Sequence, residues 1–132
     1  MTGKRSISIP GFGHRAPIPG AARVGNLLFS SAISGIEPDT GQPADSATRQ
    51  VELVFVHLQS LVDSAGTSLE HIGKMAISIR DNTVRDLIND AWLKHFPDPE
   101  DRPARHIQLA ELPGPLHLQI EVIAIIPEGE QS

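Results

Sequence analysis

The chain has 132 residues, 39% hydrophobic and 20% charged, which is one domain of ordinary globular composition and excludes a disordered chain. It has no cysteine, so disulfides, thiolate catalysis and cysteine-ligated metal sites are excluded. Lys and Arg number 11 against 16 Asp and Glu, a net charge of −5, and aromatics make up only 4%; both disfavour nucleic acid as a partner.

The first residues hold no long apolar run of the signal-peptide kind. The strongest apolar run, residues 122–126, is too short to cross a bilayer. A cytoplasmic protein with no membrane contact is expected. Ser6-Ile7-Ser8-Ile9 alternates as a short strand does. Residues 10–20 are broken by Pro and Gly and read as irregular. Residues 23–32 read as two strands around a Gly25-Asn26 turn, because both turn residues tolerate positive φ. Residues 35–45 form a loop.

Asp45 or Ser46 then caps a helix whose Val51, Val54, Phe55, Leu58, Leu61, Val62 and Ala65 make one apolar stripe. Gly66 stops it by entering the left-handed region. Leu53 and Val56 fall off the stripe and suggest a second covered face. Ser68 opens a single turn over residues 69–73, and residues 75–79 read as a buried strand. Thr83 is expected to cap a second helix with the stripe Val84, Leu87, Ile88, Ala91 and Trp92, ended by Phe96-Pro97. Residues 104–109 form a strand. Residues 116–126 form a long last strand, alternating Leu116, Leu118, Ile120, Val122 and Ala124 with His117, Gln119, Glu121 and Ile123. The order predicts an α+β layer in which two helices cover one face of a sheet.

The six histidines, at 14, 57, 71, 95, 106 and 117, fall in no metal-binding spacing, and no metal site is expected. No phosphate loop, dinucleotide fingerprint or nucleophile elbow occurs. The sharpest cluster is Arg102-Pro103-Ala104-Arg105-His106. Arg105 opens a strand among apolar neighbours, where a guanidinium presents a fixed fork suited to a carboxylate. The competing reading is a strand-edge arginine paired with Glu121 or with a carboxylate near the chain's end.

In its ordered set of motifs the sequence resembles the RidA/YjgF family of reactive-intermediate deaminases, also called the endoribonuclease L-PSP family. The set comprises Pro17, Gly25-Asn26-Leu27-Leu28-Phe29-Ser30-Ser31, Thr40-Gly41, Gln50, Ala65-Gly66, residues 74–81, Asn89, Phe96, Pro103-Ala104-Arg105, Leu112-Pro113 and Ile120-Glu121-Val122-Ile123-Ala124. It covers most of one domain, with a core over about residues 5–127. The resemblance implies a chorismate-mutase-like α+β fold with a mixed sheet and two helices on one face. It also implies a homotrimeric barrel with ligand clefts between subunits.

The activity implied is hydrolysis of enamines and imines to 2-keto acids and ammonia, with no cofactor. Arg105 is implied to hold the substrate carboxylate and Ser31 to hydrogen-bond substrate or water. The backbones of Ala32 and Ile107 are implied to contact the ligand, with Asn89 near the site. The chain departs from the family at Ile18 (usually tyrosine), Ala32 (glycine), Ile107 (cysteine) and Gln119 (the glutamate assigned to water). Gln119 can position water through its amide but cannot take a proton as a base. An imine deaminase of altered specificity is therefore expected, with His14 near Ile18 as a further candidate at the site. The alternatives are a trimeric carboxylate-binding or chaperone-like protein without turnover and, disfavoured by charge, a ribonuclease.

Overall fold

The structure, a computed structural model, describes residues 4–9 and 17–127. Strands form at Ser6–Ile7 (β1), Ala21–Val24 (β2), Leu27–Ser30 (β3), Ile33–Ser34 (β4), Ile72–Ile79 (β5), Ala104–Leu109 (β6) and Leu118–Ile125 (β7). Two α-helices span Ala47–Ala65 (α1) and Arg85–His95 (α2). The strands make one sheet in the order β1-β2-β3-β7-β5-β6, with β4 also paired to β7. β5 and β6 run parallel; every other pair is antiparallel.

Period-two patterning decides which way the sheet faces. Leu118, Ile120, Val122 and Ala124 of β7, with Met75, Ile77 and Ile79 of β5 and Leu28 of β3, are buried on one face. They join Val51, Val54, Phe55, Leu58, Leu61 and Val62 of α1 and Ile88 and Trp92 of α2 in a single core. The opposite face carries Val24, Leu27, Phe29, Ile123 and Ile125, all exposed, beside the polar Ser78, Gln119 and Glu121. This is the expected α+β layer, with both helices on one side.

Three local expectations change. The strand expected to run to residue 32 ends at Ser30, and the chain rejoins β7 as β4. From Phe29 to Ile33 it takes four steps, while β7 takes three from Ile120 to Ile123, so one residue is extruded. The Ser30 hydroxyl oxygen accepts the Val122 N–H at 2.8 Å and fills the gap in the ladder. The cap before the second helix is Asp81, not Thr83: its carboxylate accepts from the Thr83 N–H at 2.9 Å and from the Thr83 hydroxyl, opening a 3₁₀ turn at Asn82–Val84. Of the two off-stripe residues on α1, Leu53 is buried within the chain and Val56 is exposed.

The ends of α1 form as its sequence requires. Ser46 Oγ accepts the Arg49 N–H at 3.1 Å, and Gly66 sits at φ 80°. The helix starts so close to the loop after β4 that a Cβ on Gly35 would lie 2.5 Å from Gln50 Cα. Gln50 itself has no exposed surface. Its amide donates to the carbonyls of Ala44 (2.9 Å) and Pro115 (3.1 Å) and accepts the His117 N–H (2.8 Å). It ties the start of α1 to the turn before β7.

Candidate functional site

Arg105 lies on β6, at the edge of the sheet, in register with Met75 of β5. It therefore projects to the helix side, where the core gives out. Its guanidinium carbon stands 4.9 Å from the centroid of the Trp92 ring, which is buried on α2 and tilted against Phe96 at 4.8 Å. The indole face attracts the cation and fixes its height above the sheet edge. Among the described residues Arg105 makes no ion pair; those present join Arg49 to Glu37 and Glu52. The expected alternative partner, Glu121, stands on the opposite face, in register with Ala76.

Burial first, and the nearby charge of Arg85 second, lower the Arg105 pKa below its ordinary value. The residue is nonetheless exposed, so its guanidinium reaches solvent. An arginine stays protonated even so, which leaves an unneutralised fork for an anion. Asn89 is exposed on the stripe of α2 that carries Trp92, one turn before it. Ile107 follows Arg105 on the same side of β6 and packs against the core.

Two other candidates, Ala32 and Gln119, meet on the open face. A cleft of about 140 Å³ is lined by Ala32, Ala76, Ser78, Gln108, Gln119, Ile120 and Glu121. Gln119, which lines this cleft, donates from Nε2 to Ser34 Oγ at 3.2 Å, and its amide oxygen has no hydrogen-bond partner among the described residues. Ser31 Oγ donates to the Pro19 carbonyl at 2.8 Å, and the Ser31 N–H donates to Gly20 O at 3.0 Å. Ser31 thus anchors the segment bearing Ile18, whose side chain is 48% exposed. His14 lies outside the described residues. Among the described residues no group of three or more His, Asp or Glu is placed to hold a metal. No helix is long and apolar enough to cross a membrane.

One chain thus unites Arg105, Asn89 and Ile107 at the helix-side edge, and Ala32 and Gln119 in the open-face cleft. It does not bring the two groups together. Two residues beside the first group carry more than their sequence pattern suggests. Trp92, read as an element of an apolar stripe, is the platform for Arg105, and Arg85 supplies a second positive charge. The spacing of Arg85, Asn89 and Trp92, at i, i+4 and i+7, is the signal that places them on one face.

Comparison with known proteins identifies the family and the fold. The profile of the family described as Endoribonuclease L-PSP matches residues 15–126. A RutC family protein of Aquifex aeolicus is 31% identical, with 92% of this chain and 98% of that protein covered. The chloroplastic Reactive Intermediate Deaminase A of Arabidopsis thaliana is 30% identical over 83% of this chain, which spans 59% of that longer protein. Two solved structures superpose closely. RidA from an Antarctic Psychrobacter has a TM-score of 0.84 at 26% identity, covering 93% of this chain and all of that one (100%). TdcF of E. coli with bound serine has a TM-score of 0.82 at 26% identity, covering 92% and 98%. The matched profile spans both the Arg105 edge and the Gln119 cleft, and the chain belongs to the endoribonuclease L-PSP family, the RidA/YjgF proteins.

Proposed function

We propose that this protein hydrolyses small 2-imino or 2-enamino carboxylates to 2-keto acids and ammonia, in sites completed between the copies of a homotrimer. The observation that carries the reading is Arg105, an arginine held on Trp92 with no acid to neutralise it. The name of the Arabidopsis relative, a reactive intermediate deaminase, and the serine on E. coli TdcF, a ligand with one carboxylate, support it. Two features of the chain support assembly. The open face exposes Val24, Leu27, Phe29, Ile123 and Ile125, an apolar patch suited to burial against copies. The Arg105 edge and the Gln119 cleft, on opposite faces of one chain, meet only if the edge of one copy lies over the cleft of the next.

In this reading Arg105 grips the substrate carboxylate through two parallel N–H···O bonds and fixes the C=N carbon beside the cleft. An enamine first takes a proton on carbon to become the imine. Water adds to the imine carbon, its oxygen bonding to carbon while a proton passes to nitrogen. The resulting carbinolamine passes its O–H proton to nitrogen, the C–N bond breaks as the C=O bond forms, and ammonia leaves. The balance is one imine and one water to one keto acid and one ammonia, so no cofactor is required. Gln119 holds the water through its amide oxygen, and Ser31 keeps the Ile18 segment in place as an apolar wall.

The test is keto-acid release from imines generated in solution by an amino-acid oxidase. We expect a rate above the uncatalysed one, with kcat/KM for Arg105→Ala down by about a hundredfold. No acceleration across small and bulky imines overturns the reading. A second reading, carboxylate binding without turnover, is favoured by Gln119, which stands where the family resemblance implies a glutamate. Tight keto-acid binding with no acceleration would establish it instead.

A further inference from the structure

We propose that the Arg105 site is built for a ligand with two carboxylates, Arg85 being the second anchor, so that the preferred substrate is the imine of a dicarboxylic 2-keto acid. The imine part rests on the function proposed above; the preference for a dicarboxylate does not.

The argument starts from α2. Arg85, Asn89 and Trp92 recur at i, i+4 and i+7, so they line one stripe of the helix. That stripe faces the edge strand, because its Trp92 carries Arg105. Arg85 is half-buried and fixed at its root, Nε donating to Asn82 Oδ1 at 2.9 Å. Its two terminal nitrogens have no partner among the described residues. The partner it does have is a neutral amide, which steers the guanidinium without cancelling its charge. The acids of α2, Asp86 and Asp90, form no ion pair with Arg85 or Arg105 among the described residues.

Arg105 against Trp92 and Arg85 two turns earlier on the same stripe thus set two guanidiniums along one face, with no acid ion-paired to either among the described residues, and like charges so placed repel. Repulsion of this kind raises the free energy of the empty site and is relieved by an anion. A monocarboxylate answers one of the two charges, whereas a dicarboxylate answers both and gains a second charge-assisted set of hydrogen bonds. Asn89 lies between the two cations along the stripe and offers neutral donors to the same oxygens.

Trp92 is the chain's one tryptophan, so its fluorescence reads binding at this site directly. The full chain is titrated with 2-oxoglutarate and with 2-oxobutyrate, which differ in the second carboxylate. We expect 2-oxoglutarate to bind about tenfold tighter at low salt, the advantage shrinking as salt screens the second contact. In Arg85→Ala the ratio of the two dissociation constants falls to within about twofold of one, and Arg85→Lys recovers part of it. Equal affinity for the two acids in the native chain overturns the proposal. So does a preference that Arg85→Ala leaves intact. Circular dichroism checks that each variant is folded. Failure of imine turnover with the binding preference intact refutes the deaminase reading and leaves the dicarboxylate site standing.

Discussion

Gln50 makes three hydrogen bonds and exposes nothing to solvent. Replacing it by leucine keeps the volume but strands two carbonyls and one N–H. We expect Gln50→Leu to lose about 3 kcal/mol or more of unfolding free energy in urea titrations. Gly35→Ala acts on the same contact from the other side: its Cβ would meet Gln50 backbone at 2.5 Å, so the loop must retreat, at about 1–3 kcal/mol by the same assay. Asp81 gives a pH dependence. Its hydrogen bonds from the Thr83 hydroxyl and N–H hold its pKa below the ordinary carboxylate value. A carboxyl group depressed on folding stabilises the fold at pH values above its unfolded pKa, about 3.9, and that contribution fades as pH falls through the lower folded value. Acid titration of Asp81→Asn should therefore show a shallower loss of stability below about pH 4 than the native chain. The residue scale also shows where sequence reading stops. Arg105 was legible because proline and alanine precede it on a strand. Its platform was not, since a helical stripe says which residues share a face and not what lies against that face.

At the scale of elements the period of the apolar residues carried most of the information. Helix α1 came through with its cap, its stop and its buried stripe, because nineteen residues give the 3.6 period room to repeat. The two-residue strand β4 gave no such signal, since pairing around an extruded residue leaves no period to read. The same logic sorts substitutions on α1. Leu58 has no exposed surface and Leu58→Ala should lose about 2–5 kcal/mol, whereas Val56, 53% exposed, should lose within about 0.5 kcal/mol on changing to Ala. Chemical denaturation of both variants checks the contrast. The strand β6 was placed correctly from its pattern, yet its parallel pairing with β5 follows from the crossover through α2, a connection long enough to return the chain in the same direction.

For the whole molecule the decisive feature is the face without helices. Phe29 and Ile123 are register partners there, both exposed in a single chain. A charge at that point is tolerable in water and costly in an apolar interface. In the trimer proposed above, Ile123→Lys should sediment near the single-chain mass of 14.2 kDa and the native chain near three times that, with far-ultraviolet dichroism the same for both. The split of candidate residues between two faces could not be read from one sequence. Alternation gives the parity of each residue, and only the sheet order shows that Arg105 and Gln119 end up on opposite sides.

The sheet's last strand has a further consequence. Among the described residues β6 ends the row and pairs only with β5. An unpaired backbone edge of this kind invites stray chains to dock and stack. Here it is entered through Pro103 and carries Arg105, the proline and positive charge that discourage such growth. Replacing Arg105 with an apolar residue is therefore expected to lower solubility along with affinity for an anion, a loss that turbidity of the concentrated variant would read.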